Sequence, residues 1–334
     1  MKNKMLLWII AAAALLLALL LGGLPLLSRL YYHRSQAATL FAWQLKKEKY
    51  TTAEAFEAYL AEKREENNSD YAVPEEIAAE ISIVQDRPAG MQFFLLGGSD
   101  DGAPSPDAPV IFYFPGGSYI DQPREVHWRF LDALAQNTGA LVVVPIYPKL
   151  PDSDAGTACA ALTAAYEEFI SGMVHGDLIF MGDSAGGGLA LSFAMQLRDA
   201  GLEGPEKLIL ICPWLDVTLT NPDIPAYEKR DPCLDSEQLR HLGALWAGDL
   251  SPAAPIVSPL NGSFDGLGAI TLITGTGELL YPDIMALHDE LSRQGIAHDL
   301  ASWEGMFHVF PLYLGYGIPE TEEAYDQIVS AVLR

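Results

Sequence analysis

The five residues Gly182-Asp183-Ser184-Ala185-Gly186 lie between two apolar runs, LIFM before them and LALSF after. Glycine is a poor helix former and packs weakly in a strand, so a cluster of it marks a junction that needs room. The run before the cluster reads as a strand, and the segment Gly187–Arg198 reads as a helix. A Gly-x-Ser-x-Gly pattern at a strand-to-helix turn forces the serine into strained backbone angles and lifts its hydroxyl above the sheet edge. The N–H of Ala185 then opens the helix, where unpaired donors and the helix dipole favour developing negative charge. This is the equipment of an alcohol that attacks a carbonyl carbon. In isolation the same residues are also a Gly-rich turn with a helix-capping serine.

A serine nucleophile needs backbone donors, a base and an acid. Pro115-Gly116-Gly117-Ser118-Tyr119 follows the strand-like run VIFYF, and its adjacent glycines let backbone N–H groups approach a ligand oxygen. Gly116, Gly117 and Ala185 are therefore the candidate oxyanion donors. Of seven histidines, His308 is best placed, after the last predicted strand and before the last helix. In this kind of serine site the histidine comes last in the chain. His127, His241 and His288 fall in predicted helices. At the end of the run ITLITG, Glu278 is the candidate acid that would orient the His308 ring and stabilise its charged form. Asp283 is its rival, although an acid in the first turn of a helix starting near Pro282 has an ordinary reason to be there. Asp216 reads as structural. Tyr119 and Asp183 are the substrate-binding candidates, and Phe112, Phe114 and Trp214 would join Tyr119 in an apolar lining.

Those residues must be carried by a sheet. Short apolar runs alternate with amphipathic segments, the pattern of a mostly parallel sheet with helices on both faces. Eight strands are predicted at ISIVQD, MQFFLLG, VIFYF, ALVVVPIY, LIFMG, LILICPW, ITLITG and HDLASW, the first two as an antiparallel edge. Helices are predicted at Glu125–Gln136, Ala155–Gly172, Gly187–Ala200, Pro282–Gln294 and Thr321–Leu333. Residues 37–80 read as helical, with Thr52 as a cap and a break at Asn67-Asn68-Ser69. The Pro- and Asp-rich stretch 216–260 interrupts the alternation and holds one helix, Asp235–Ala247. Together with residues 37–80 it would form a cap over the carboxyl ends of the strands, with the catalytic domain spanning 81–334.

The chain has 334 residues, half of them hydrophobic, and 44 acidic against 20 basic side chains give a net charge of −24. Such an excess argues against nucleic acid, whose phosphates require clustered Lys and Arg. Cys159, Cys212 and Cys233 show no metal-ligand spacing and no disulfide framework, so neither metal nor cofactor is implied. Residues 5–27 carry no charge and are long enough to cross a bilayer as a helix. Arg29, Tyr31, Tyr32, His33 and Arg34 follow like an interfacial anchor, so a single-pass anchor in the cell membrane is expected over residues 1–36. Cleavage near Ser35-Gln36-Ala37 is the alternative. A narrow Lys/Arg bias leans toward a cytoplasmic catalytic domain and leaves the side open.

Taken together, Gly182-Asp183-Ser184-Ala185-Gly186-Gly187, Pro115-Gly116-Gly117-Ser118, the turn Ser258-Pro259-Leu260, Glu278 and His308 resemble the hormone-sensitive-lipase-like branch of the α/β-hydrolase superfamily. The resemblance runs from about residue 81 to the end of the chain. It implies a carboxylesterase or lipase that cleaves small to medium acyl esters through a Ser184-His308-Glu278 triad and a covalent acyl-enzyme. Two departures stand out: Pro115 where the branch has His, and Glu278 where it usually has Asp. A non-catalytic ligand-binding module and an amide or peptide hydrolase remain the alternatives, and sequence leaves the oligomeric state open.

Overall fold

A computed structural model describes residues 4–5, 8–12, 22–47, 50, 52–98, 107–173 and 175–334. The eight apolar runs become β1 (Val84–Asp86), β2 (Phe93–Leu96), β3 (Val110–Phe114), β4 (Leu141–Pro145), β5 (Leu178–Asp183), β6 (Lys207–Ile211), β7 (Ala269–Gly275) and β8 (His298–Trp303). They form one sheet in the order β1-β2-β4-β3-β5-β6-β7-β8. β2 pairs antiparallel with β1 and with β4, and every other pairing is parallel. β3, β4 and β5 are buried along their whole length, which is why they read as continuous apolar runs rather than as alternation.

The period of two still shows in where the side chains go. Val110, Phe112 and Phe114 of β3 enter one core, with Leu162, Leu189, Phe193, Ile284 and Leu287 from the helices Ala155–Ile170, Ala185–Ala200 and Tyr281–Gln294. Ile111 and Tyr113 enter the opposite core, with Trp128, Leu131, Leu134, Ile328 and Val332 from the helices Glu125–Thr138 and Pro319–Leu333. Two layers of helix therefore sandwich the sheet. β3 leads to β4 on one side and lies beside β5 on the other, so the strand order reverses at β3. Ligands of open parallel sheets bind outside the strand ends at such a reversal.

Two segments reach this edge from elsewhere. The helix Ala53–Asn67 starts at Thr52, whose side chain accepts from the Ala55 N–H, and stops where Asn67 turns to bond the carbonyls of Ile120 and Leu150, both at 2.7 Å. The helix Ser236–Ala247 is capped by Asp235, whose carboxylate accepts from the N–H groups of Glu237 and Gln238. The stretch 216–260 also contains a short helical turn at Ile224–Tyr227, which the sequence pattern does not reveal.

The expected membrane anchor, and the cell-membrane location and membrane partner that go with it, are corrected here. Among the described residues no helix is long and apolar enough to cross a membrane. Residues 6–7 and 13–21 of the stretch lie outside the described residues. Its described end is the helix Leu24–Leu30, whose 7 residues span about 10 Å, against a hydrocarbon core of about 30 Å. Of the residues taken for an interfacial anchor, Arg29 and Tyr31 are exposed, whereas His33 and Arg34 reach the loop at Glu304 and Gly305. The Arg34 guanidinium donates to the Gly305 carbonyl at 3.0 Å and lies over the Tyr32 ring. The Ser35 N–H donates to Glu320 Oε1, and Phe41 stacks against Phe307.

Candidate active site

Register alone brings the functional residues to one edge. Phe114 pairs with Gly182, Asp183 with Ile211, and Ile211 with Ile273. The next residues along each strand are therefore neighbours: Pro115-Gly116, then Ser184, then Cys212. Beyond them the ends of β7 and β8 carry Glu278 and His308. Ser184 has φ +52° and ψ −124°, held by its N–H to the Ile211 carbonyl at 2.9 Å and by the Trp214 N–H to its own carbonyl at 2.8 Å. Such backbone strain costs about 1–3 kcal/mol and persists only where the surroundings over-determine it. Gly186 shows how tight the elbow is, because a Cβ there would lie 1.9 Å from the Phe114 carbonyl oxygen. Gly186→Ala must push β3 off the helix Ala185–Ala200, and a loss of at least about 3 kcal/mol is expected in urea denaturation. A shift of under about 1 kcal/mol would contradict this geometry.

The His308 ring bridges the other two side chains. Its Nε2 lies 2.8 Å from Ser184 Oγ, and its Nδ1 lies 2.5 Å from Glu278 Oε2. Burial opposes charging of His308. The hydrogen-bonded Glu278 carboxylate, with Asp231 and Asp183 farther off, outweighs burial and holds the imidazole above its ordinary pKa. Glu278 is fully buried, and its other oxygen accepts from Thr274 Oγ1 at 2.5 Å and from the Gly275 N–H at 3.2 Å. Asp283, its rival, lies instead in the first turn of the helix Tyr281–Gln294, where burial pushes its carboxyl up to about 6. Asp216 ties the following loop together through Thr218 and Ser258.

The remaining candidates divide. Ala185 begins its helix, where no intrahelical acceptor precedes it, and Gly116, Gly117 and Ser118 line the cavity that Ser184 also lines. The Gly116 N–H is already occupied, donating to Asp183 Oδ1 at 2.9 Å. Asp183 is part of the cavity wall, with its Oδ1 turned to this N–H. It is buried, takes the Tyr113 hydroxyl at 2.7 Å, and stands 3.5 Å from His127 Nε2. Burial would raise its pKa, but His127, Tyr113 and the Gly116 N–H together hold it below the ordinary carboxylate range. The loop thus has braces from outside its own motif, since Tyr147 Oη also donates to the Pro115 carbonyl at 2.8 Å.

Tyr119 is also corrected. Its φ of +62° turns the ring into a stack on Trp246, with centroids 4.1 Å apart, and on Trp214. Phe112 and Phe114 are buried in the core, so none of the four aromatics lines the cavity. That cavity, of about 550 Å³, opens in front of Ser184 and His308. Its wall is polar and apolar in nearly equal measure, with Lys63, Glu66, Asp121, Gln122, Arg124 and Gln238 beside Leu45, Leu234, Leu239 and Val309. Sequence reasoning also missed Asp231, whose buried carboxylate holds the N–H groups of Leu279 and Cys233 and so fixes the chain on both sides of the site. Its burial raises its pKa against the opposing pull of His308. Cys212, Glu278 and His308 are the cluster with metal-ligating atom types among the described residues, within 4.8 Å of one another. Both imidazole nitrogens there already face Glu278 and Ser184.

This fold and this edge define a class. Residues 111–312 match the family model of the alpha/beta hydrolase fold, and the chain belongs to that family. An acetyl-hydrolase from Streptomyces hygroscopicus is 31% identical over 229 residues, 68% of this chain and 76% of that one. An esterase from Acinetobacter venetianus is 28% identical over 66% of this chain and 73% of its own. A Staphylococcus aureus protein assigned as an esterase superposes with a TM-score of 0.80 at 27% identity, over 89% of this chain and 99% of that one. An esterase of the bacterial hormone-sensitive lipase family shares the fold, with a TM-score of 0.72 at 23% identity over 89% and 96% of the two chains. The chain stands among the esterase- and lipase-type members of its family, the branch its motifs resemble.

Proposed function

We propose that the protein hydrolyses carboxylic esters of small to medium acyl groups through Ser184, His308 and Glu278. The observation that carries the reading is the continuous line from Ser184 Oγ to His308 Nε2 at 2.8 Å and from His308 Nδ1 to Glu278 Oε2 at 2.5 Å. His308 takes the Ser184 proton as Oγ bonds to the carbonyl carbon, and Glu278 stabilises the imidazolium that forms. The oxyanion is received by the N–H groups of Gly117 and Ala185, while Gly116, tied to Asp183, fixes the loop that presents Gly117. The imidazolium then protonates the leaving alkoxide, and water, deprotonated by His308, cleaves the acyl-enzyme and restores Ser184.

Two further points support the reading. The relatives named acetyl-hydrolase and esterase make a short acyl group the natural first substrate. The helix Ala53–Asn67 and the stretch 216–260 contribute Lys63, Glu66, Gln238 and Leu239 to the cavity wall, as a cap over the site would. The test is a pre-steady-state burst with p-nitrophenyl acetate. One equivalent of p-nitrophenol should appear before steady turnover, with the acetyl group recovered on Ser184 by peptide mass spectrometry. An acetyl group on another residue, or no turnover with acetyl, butyryl or hexanoyl esters, would overturn it.

A further inference from the structure

Two cations stand on the wall in front of Ser184 without a counter-charge. Arg124 and Lys46 line the same cavity as Ser184 and His308, both residues are exposed, and neither makes an ion pair with a carboxylate of the described residues. The Arg124 guanidinium donates to the Tyr313 hydroxyl, and its charge acts on Cys233, Asp183 and Asp121. Those four residues all belong to the cavity wall, so the charged head of Arg124 stands at the cavity and not behind it. The acids of the same wall are placed differently. Glu66 and Asp121 each take Lys63 Nζ at 2.8 Å. Asp183 is buried and accepts from Tyr113 and the Gly116 N–H, and Asp235 caps the helix Ser236–Ala247. Each acid thus has a donor within the fold, whereas the two exposed cations face the space a ligand enters.

The chemistry of the pair narrows that ligand. A guanidinium presents a planar fork of N–H donors that fits the oxygens of a carboxylate or phosphate two at a time, and an ammonium adds a compact positive charge. Leu45, Leu234, Leu239 and Val309 on the same wall offer an apolar surface to the carbon skeleton between ester and anion. Resting on the ester-hydrolase reading above, we infer that the alcohol portion of the substrate carries an anionic group, a carboxylate or a phosphate. Arg124 binds this group and Lys46 attracts it while the ester carbonyl sits at Ser184. The charge is assigned to the alcohol side because that reading takes a short acyl group as the first substrate. Hydrogen bonds between two charged partners are roughly twice as strong as neutral ones, so an uncharged analogue of the same shape binds less well.

The experiment holds the acyl group fixed as acetyl and changes the charge of the alcohol. Acetate release from 4-acetoxybenzoate and from 4-acetoxyphenyl phosphate is compared with release from 4-acetoxybenzamide, an uncharged analogue of similar size. The full chain should prefer at least one anionic ester by about tenfold in kcat/KM, and which one it prefers identifies the anion. Arg124→Gln should lower that ratio several-fold, chiefly through the KM of the anionic ester, and Arg124→Lys, which keeps the charge, should retain part of it. Differences in leaving-group reactivity cancel when the ratio is compared between chains. Raising sodium chloride from about 20 mM to about 500 mM should also shrink the ratio, and less so in Arg124→Gln, a response that a merely structural arginine would not give. Ratios below about threefold for both anionic esters, or ratios that Arg124→Gln leaves unchanged, would overturn the inference. The hydrolase reading would then still stand if p-nitrophenyl acetate is cleaved. Failure of all four esters would overturn both.

Discussion

Ser184→Ala is expected to lower kcat toward p-nitrophenyl acetate by about 10⁴- to 10⁶-fold and to abolish the burst. The side chain reaches only His308, so its loss removes the attacking atom and little else. The strained elbow is made by the backbone, through the Ile211 and Trp214 hydrogen bonds, and alanine at the same angles keeps both. The melting midpoint should therefore stay within a few degrees of the parent. The residual rate reports what Gly117, Ala185 and the cavity achieve without covalent chemistry. A variant that retained more than a tenth of the parent rate would place the nucleophile elsewhere.

The second large effect is expected at Glu278. Its carboxylate keeps the Nδ1 proton of His308 in place and compensates the positive charge that appears when Ser184 is deprotonated. Glu278→Gln preserves shape and removes the charge, and it lets an amide N–H compete for Nδ1, which favours the wrong tautomer. A fall of about 10⁴-fold in kcat follows from those two losses. The pH profile gives an independent reading. Turnover needs neutral imidazole, so in the parent kcat/KM should fall on acidification through a pKa lying above the ordinary histidine value of 6.5. Without the Glu278 charge only the more distant Asp231 and Asp183 oppose the burial of His308, so the acid limb must move to lower pH while the plateau drops. A limb that moved upward, or not at all, would show that Glu278 does not set the state of the ring.

Much of this was readable from local pattern, and the reason is physical. Strands buried on both faces have to be continuous apolar runs, so β3 to β6 announce themselves, and a nucleophile elbow needs small residues that leave a signature. Glu278 and His308 could be named as candidates because strand ends limit where an acid and a base can stand. The misses involve contacts between distant parts of the chain. The braces on Asp183 come from Tyr113 and His127, 70 and 56 positions earlier in the chain, where no local window shows them. Tyr119 looks like lining, but its left-handed backbone angle rotates it into the Trp214 and Trp246 stack. The cavity wall is assembled in part from the helix Ala53–Asn67, the loop after Gly117 and the helix Ser236–Ala247, and no single window of sequence contains it. Hydropathy across residues 5–27 scores greasiness alone, whereas Arg34 and Phe41 just beyond it have partners that only the folded chain supplies.

The way the start of the chain crosses the His308 loop has a consequence for how the protein is handled. Gly305 has no room for a side chain, since a Cβ there would lie 1.8 Å from the Tyr32 carbonyl oxygen. Three residues later the same loop delivers the imidazole. Residues 32–42 therefore buttress the loop that carries His308, the proposed base. Trimming them is expected to loosen the His308 loop while Ser184 and Glu278 keep their places, so a slower shortened protein would by itself not count against the proposed chemistry.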